Sequence, residues 1–367
     1  MASDLLLVLV IGAALAFDFT NGFHDTANVV ATSISTRAMA PRAAIALAAI
    51  LNFVGAFLSL EVAATIAKGI VDSGAITLQV VFAGLIGAIL WNLVTWWYGL
   101  PSSSSHALIG GVVGAMLVSH GPSAIHGDGL LGKVVLPALV APVLAFVVAG
   151  LSILLVYRIV GRLRPGPVTR GFRLGQIASG SLLALAHGTN DAQKTMGVIT
   201  LALVAHGSLS AAHPDVPFWV VVASASAIAL GTYSGGWRII RTMGSKIIKM
   251  DAAQGFSAQG SGAAVILAAT HVGFPLSTTH VISGGVVGAG AAKRLSAVKW
   301  GVAGNMAVAW ILTIPAAGLT GAAAYGISAL FGGGTLGPLV VCLVLAVATV
   351  ALIRARSTPA ALAEDPA

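Results

Sequence analysis

Leu100-Pro101-Ser102-Ser103-Ser104-Ser105-His106-Ala107-Leu108-Ile109-Gly110-Gly111-Val112-Val113-Gly114-Ala115 returns 174 residues later as Phe274-Pro275-Leu276-Ser277-Thr278-Thr279-His280-Val281-Ile282-Ser283-Gly284-Gly285-Val286-Val287-Gly288-Ala289. The proline, one serine, the histidine and the whole Gly-Gly-Val-Val-Gly-Ala block match. In each copy a proline and a hydroxyl cluster precede an apolar run, which is how a helix N-terminus reads in sequence. A weaker pair lies upstream. Gly22-Phe23-His24-Asp25-Thr26-Ala27-Asn28 aligns with Gly188-Thr189-Asn190-Asp191-Ala192-Gln193-Lys194 at an offset of 166. The same order at nearly the same offset divides the chain into two related halves.

The surroundings of these repeats are apolar. Of 367 residues, 57% are hydrophobic and 8% charged, against about 25% charged in an ordinary soluble domain. So few charges cannot cover a water-facing surface, and the apolar runs are too long and unbroken for a β-barrel. The sequence therefore predicts an all-α, polytopic membrane protein. About 10–12 transmembrane or re-entrant helices are expected in two repeats, since some apolar segments, notably those after Pro101 and Pro275, are too short to span. An odd number of spans per half would make the repeats inverted. The first apolar run, 5–19, reads as a retained span, because no basic residue precedes it. Cys342 has no partner cysteine and reads as a small core residue.

The +8 net charge is explained by topology rather than by a nucleic-acid partner. Arg158, Arg162, Arg164, Arg170 and Arg173 fall together, and Arg238, Arg241, Lys246 and Lys249 form a second basic segment. Both are predicted to be cytoplasmic. The Lys- and Arg-poor segments with His126, Asp128, His206, His213 and Asp215 are placed outside. The expected organisation is an N-terminal membrane repeat over 1–157, a basic cytoplasmic loop over 158–175, a C-terminal membrane repeat over 176–353 and a cytoplasmic tail over 354–367. The lipid partner is the cell (cytoplasmic) membrane, crossed many times.

An ionisable residue inside a span is costly and is a functional candidate by default. Asp25 and Asp191, with Asn28 and Asn190, are the candidate ligands of a coupling cation, a proton or sodium. The bland alternative is a carboxylate that caps a broken helix or pairs with a base, as Asp191 does if it meets Lys194 three residues on. Ser103, Ser104, Ser105, Ser277, Thr278 and Thr279 are candidate anion ligands. Free N–H groups at helix starts attract an oxyanion, although a lone serine there is an ordinary cap. His24, His106 and His280 are candidates for loop orientation or a proton relay. Gly110, Gly114, Gly284 and Gly288 fit close helix contacts. No nucleotide-binding, metalloprotease or serine-hydrolase motif occurs, so no enzyme activity, cofactor or fixed metal site is expected. A homodimer is a candidate assembly.

These residues resemble a known family, the inorganic phosphate transporters called PiT. Asn21-Gly22-Phe23-His24-Asp25-Thr26-Ala27-Asn28 is similar to its first signature in bacterial form, and His187-Gly188-Thr189-Asn190-Asp191 to its second. Gly99 to His106 and Gly273 to His280 are similar to its two hydroxyl-rich repeats. The resemblance implies an inverted-repeat transporter of inorganic phosphate. Its acidic residues fall on Asp25 and Asp191, its hydroxyl ligands on Ser103–Ser105 and Ser277–Thr279, and Lys194 is placed to neutralise phosphate. Members couple to sodium or protons, and some bacterial ones are thought to carry a neutral metal–phosphate complex. Lys194, Asn52 and Gln259 stand where the sodium-coupled eukaryotic pattern has Asn, Glu and Glu. Fewer carboxylates and one more cation weaken a sodium site, which favours the proton. The rival readings are another oxyanion such as sulfate or arsenate, a passive anion channel and, far behind, a membrane hydrolase.

Overall fold

In the computed structural model, residues 2–68, 70–72, 74–210, 215–332 and 334–357 are described. His213 and the end of the tail lie outside them. The chain forms α1 (Ala2–Ser35), α2 (Pro41–Gly55), α3 (Glu61–Lys68), α4 (Leu78–Tyr98), α5 (Ser104–His120), α6 (Gly127–Leu130) and α7 (Leu136–Val160). The second half holds α8 (Pro165–His206), α9 (Phe218–Ser234), α10 (Trp237–Arg241), α11 (Ala252–His271), α12 (Thr278–Lys293), α13 (Trp300–Ala329) and α14 (Leu336–Ser357). Eleven of these have fifteen residues or more, in keeping with 10–12 spanning or re-entrant helices. Among the described residues four helical stretches, one of them Gly127–Val160 running from α6 through α7, are long and apolar enough to cross a membrane alone, and α9 with α10 makes a fifth, bent by 59°. Among the described residues there is no strand, only an isolated bridge between Val71 and Ile125.

Local chemistry sets the ends. Thr77 caps α4 by accepting from the Val80 N–H at 3.3 Å, and Gly99, at φ 64°, takes the left-handed turn that stops it. Asp251 and Gln254 form a reciprocal capping box at the start of α11.

The first apolar run, 5–19, opens one 34-residue helix, α1, which carries Asp25 and Asn28 in its interior. One expectation changes here: the basic segment 158–175 is mostly helix rather than loop. Its non-helical part is 161–164, and Pro165 opens α8 at a position where the missing proline N–H costs nothing. Pro167 sits in that same first turn, so the prolines that read as a loop start a helix.

α1 and α8 pack antiparallel. Asp4 near the start of α1 pairs with His206 at the end of α8, 3.3 Å apart. At the other end Thr36 donates to the Gln176 Oε1 at 2.7 Å. Two separate apolar cores flank their crossing. One takes Val10–Phe17 of α1, Ala192–Leu203 of α8, and faces of α4, α5 and α9. The other takes Ala27–Ala31 of α1, Leu183–Ala186 of α8, and faces of α7, α11 and α12. The polar residues of both long helices lie at the seam between these cores.

The glycine pairs hold the helices close. A methyl group on Gly114 would overlap the Gly318 carbonyl of α13, and one on Gly288 would overlap the Phe146 carbonyl of α7. Gly114→Ala and Gly288→Ala are each expected to cost about 1–3 kcal/mol by forcing the backbones apart. Gly304, within α13, has open space around it, so Gly304→Ala is expected to be neutral. Thermal unfolding in detergent separates the two cases, and equal melting temperatures for all three variants would refute the packing account.

Candidate functional site

Among the described residues, the formally charged side chains that are fully buried are Asp18, Asp25, Asp191 and Lys194. All four lie at the α1–α8 seam. Asp25 is 2% exposed, Asp191 0% and Lys194 1%. A buried unpaired charge is prohibitively costly, so the partners of each decide what the site does.

Lys194 has three acceptors. Its Nζ donates to Asp191 Oδ1 at 2.5 Å, to Ser105 Oγ at 2.6 Å and to the Leu276 carbonyl at 2.8 Å. The salt bridge foreseen as the bland reading is therefore present, but it also ties α8 to both hydroxyl segments. Asp25 and Asp191, on equivalent positions of the two halves, converge. The Thr278 hydroxyl lies 3.4 Å from Asp25 Oδ2 and 3.3 Å from Asp191 Oδ2, and donates between them. The Thr279 hydroxyl faces Asp25 Oδ1 at 3.4 Å and accepts from Asn28 Nδ2 at 2.9 Å. Neither aspartate caps a broken helix, since both sit in helix interiors.

Each aspartate has its own histidine. His24 Nδ1 is 2.7 Å from Asp25 Oδ1, and its Nε2 is 3.1 Å from the Thr95 hydroxyl. His187 Nε2 is 3.2 Å from Asp191 Oδ2, off the line of a hydrogen bond, while its Nδ1 meets Asn52 Oδ1 at 3.2 Å. One ligand atom each of Asp25, His187 and Asp191 lies within 4.8 Å of the other two. Two carboxylates, an imidazole and a threonine hydroxyl suit a small cation.

The two repeats meet head to head. Ser103 and Ser277 are the N-caps of α5 and α12, accepting from the N–H groups of His106 at 3.1 Å and His280 at 3.3 Å. For these two the capping account holds. Ser105 also donates to the Leu276 carbonyl at 3.3 Å, which holds the two helix starts together. Ser104 is 1% exposed, and its hydroxyl has no partner. His106 and His280 touch each other, edge to face at 4.8 Å, and His280 stacks on Trp310 at 4.2 Å. They brace the junction between the two helix starts. Asn190 bonds the Thr270 hydroxyl at 2.8 Å and the Phe274 carbonyl at 3.3 Å through Nδ2. It thus anchors the turn before Ser277, with its own oxygen unpartnered. Gln259 donates to Ser33 Oγ at 2.8 Å and to the Val29 carbonyl, a structural tie rather than a ligand.

Sequence reasoning missed Asp18 and gave His187 no role. Asp18 lies seven residues before Asp25, two helical turns along the same face, and the rule that singled out Asp25 applies to it equally. It drew no notice because its aligned position in the second half is Ala184.

A bundle of apolar helices that encloses a charged, hydroxyl-lined site at the seam of two cores is built as a membrane transporter, not as an enzyme. The comparisons agree. The model of the phosphate transporter family matches residues 21–321. Among curated relatives, a probable low-affinity inorganic phosphate transporter of Mycobacterium bovis is 53% identical over 96% of this chain and 85% of its own length. One from Bacillus subtilis is 46% identical over 88% of this chain and 96% of its own. A solved structure described as the sodium-dependent phosphate transporter superposes with a TM-score of 0.81 at 25% identity, covering 89% of this chain and 99% of that one. The chain belongs to the phosphate transporter family and is an integral membrane protein.

Proposed function

We propose that this protein takes up inorganic phosphate across the cell membrane by symport with a cation, the proton favoured over sodium. The observation that carries this reading is a charge imbalance. Two carboxylates, Asp25 and Asp191, converge beside one ammonium, Lys194, and a third, Asp18, is buried further along α1. An anion cannot join that cluster unless cations or protons enter with it. Phosphate is bound between the starts of α5 and α12, by free N–H groups and by the hydroxyls of Ser104, Ser105, Thr278 and Thr279. Ser103 and Ser277 shape those starts. Lys194 supplies the positive charge and shifts from Asp191 towards phosphate. The coupling cation sits at Asp25 and Asp191, with Asn28 holding the start of α12 and Asn190 the turn before it.

All these groups are buried, so the site must open to each side in turn. The antiparallel α1 and α8, and the helix starts that meet in the middle, support two inverted halves that rock about this seam. The face bearing Arg158, Arg162 and Arg164 is then cytoplasmic. A second reading, a divalent metal travelling with phosphate, is favoured by the convergence of Asp25, His187 and Asp191.

Labelled phosphate uptake into proteoliposomes, with the proton and sodium gradients imposed separately, tests the reading. Saturable accumulation under the proton gradient alone is expected. Accumulation that needs added magnesium or manganese would select the second reading. Downhill, unsaturated flux under neither gradient would replace symport with a channel.

A further inference from the structure

The proposed coupling site uses Asp25 and Asp191 and leaves Asp18 without a task. Its carboxyl is fully buried in α1, and among the described residues neither oxygen has a partner in good hydrogen-bonding geometry. Two of its polar neighbours are equally orphaned. The Asn21 amide and the Thr195 hydroxyl face it, and Asn21 Oδ1 and Thr195 Oγ1 are buried without partners. Buried polar atoms are nearly always satisfied, and four oxygens without partners lie together around this one carboxyl.

Helix geometry sets this cluster apart from the phosphate site. Asp18, Asn21, Asp25 and Asn28 are spaced three, four and three residues apart, forming one stripe along α1. Asp18 and Asp25 are about 10 Å apart along the axis at 1.5 Å per residue. Asp18 lies towards the end where Asp4 meets His206, the outer end in the proposed topology. The charged groups that face it are Asp191 and Lys194 of α8. α9 and α4, packed on the same helix, contain no Asp, Glu, Lys, Arg or His. The cluster also breaks the repeat. Asp18, Asn21 and Thr195 align with Ala184, His187 and Val29, so the fold does not require it twice.

We propose that Asp18 binds a proton of its own on the outer side of the phosphate site, and that this proton is a coupling ion; the coupling role rests on the symport reading. One proton completes the cluster. The protonated Asp18 oxygen donates to Asn21 Oδ1, and the Thr195 hydroxyl donates to the other Asp18 oxygen, with small side-chain rotations. Protonation also removes one negative charge from beside Lys194, which makes the site receptive to an anion. The proton is taken from outer water when the site faces out. It returns to water on the cytoplasmic side after the halves have rocked, when phosphate leaves and Lys194 pairs again with Asp191.

The test uses the full-length chain and Asp18→Asn, which keeps the side-chain shape and removes the acid. Infrared spectra of the purified protein are expected to show a protonated-carboxyl band that Asp18→Asn deletes. In proteoliposomes, proton-driven phosphate accumulation is expected to fall about tenfold or more, the scale of a coupling free energy, while phosphate–phosphate exchange without a gradient stays within about twofold. Asp18→Glu, which restores an acid, is expected to recover part of the accumulation. Full proton-driven accumulation in Asp18→Asn would overturn the proposal, and so would an unchanged infrared band. Loss of exchange together with accumulation would also overturn it, by placing Asp18 in the phosphate site or the fold. Sodium-driven uptake that Asp18→Asn abolishes, with no carboxyl band, would assign the cluster to sodium instead. If the unmutated protein accumulates no phosphate under a proton gradient, the symport reading fails by itself. The infrared band still decides whether Asp18 holds a proton.

Discussion

Asp25→Asn is expected to lower phosphate uptake by about 100-fold or more, which is about 2.7 kcal/mol of lost interaction, with little change in expression or melting temperature. The asparagine keeps an oxygen for His24 Nδ1, which lies 2.7 Å from Asp25 Oδ1, and for the Thr279 hydroxyl. What it loses is the negative charge that receives a cation. Asp191→Asn is expected to lower uptake as much but to cost stability too. Lys194 is tied to Asp191 by a direct ion pair, and neutralising Asp191 leaves that buried ammonium without its direct ion-pair partner, at about 3–5 kcal/mol. The two equivalent aspartates therefore differ in the melt and agree in the transport assay. Normal uptake in both variants would remove the coupling role from this pair. Uptake lost only in proportion to a loss of folded protein would reduce Asp191 to a structural counter-ion.

The repeat in the sequence went far because its chemistry is local. A proline, a hydroxyl cluster and an apolar run specify a helix start wherever they occur, and Ser103 and Ser277 do cap α5 and α12. The same locality explains the errors. The prolines at 165 and 167 read as part of a loop over 158–175, yet they open α8. A membrane helix accepts polar positions when neighbouring helices satisfy them, and those neighbours are distant in sequence. Asn28 finds Thr279, and Lys194 finds Ser105 and Leu276. That His106 and His280 brace each other was not legible for the same reason, since their contact exists only because the two helix starts meet. Asp18 obeys the same rule as Asp25 but has no acidic counterpart in the second half, where Ala184 stands, so the repeat does not point to it.

Lys194→Met is expected to abolish uptake, and the double variant with Asp191→Asn is expected to separate its two roles. Lys194 is the buried ammonium beside the converging carboxylates Asp25 and Asp191. Replacing it alone removes three hydrogen bonds and leaves Asp191 uncompensated, at a cost of about 3–5 kcal/mol. If Lys194 exists only to balance Asp191, then removing both charges restores the balance. Melting temperature and uptake should then recover together in Lys194→Met/Asp191→Asn. The geometry argues against that outcome. The ammonium also donates to the Ser105 hydroxyl and the Leu276 carbonyl, one from each hydroxyl repeat, so it stands where an anion held by those helix starts would lie. Asp191 is then a placeholder for phosphate, and the ion pair is the resting state of an exchange between the two. On this account the double variant melts close to the unmutated protein, because the uncompensated charge is gone, yet it still carries no phosphate, because nothing positive remains to receive it. Measuring both properties on the same preparations decides the matter: stability restored without transport identifies Lys194 as a phosphate ligand, and transport restored with stability identifies it as a counter-ion.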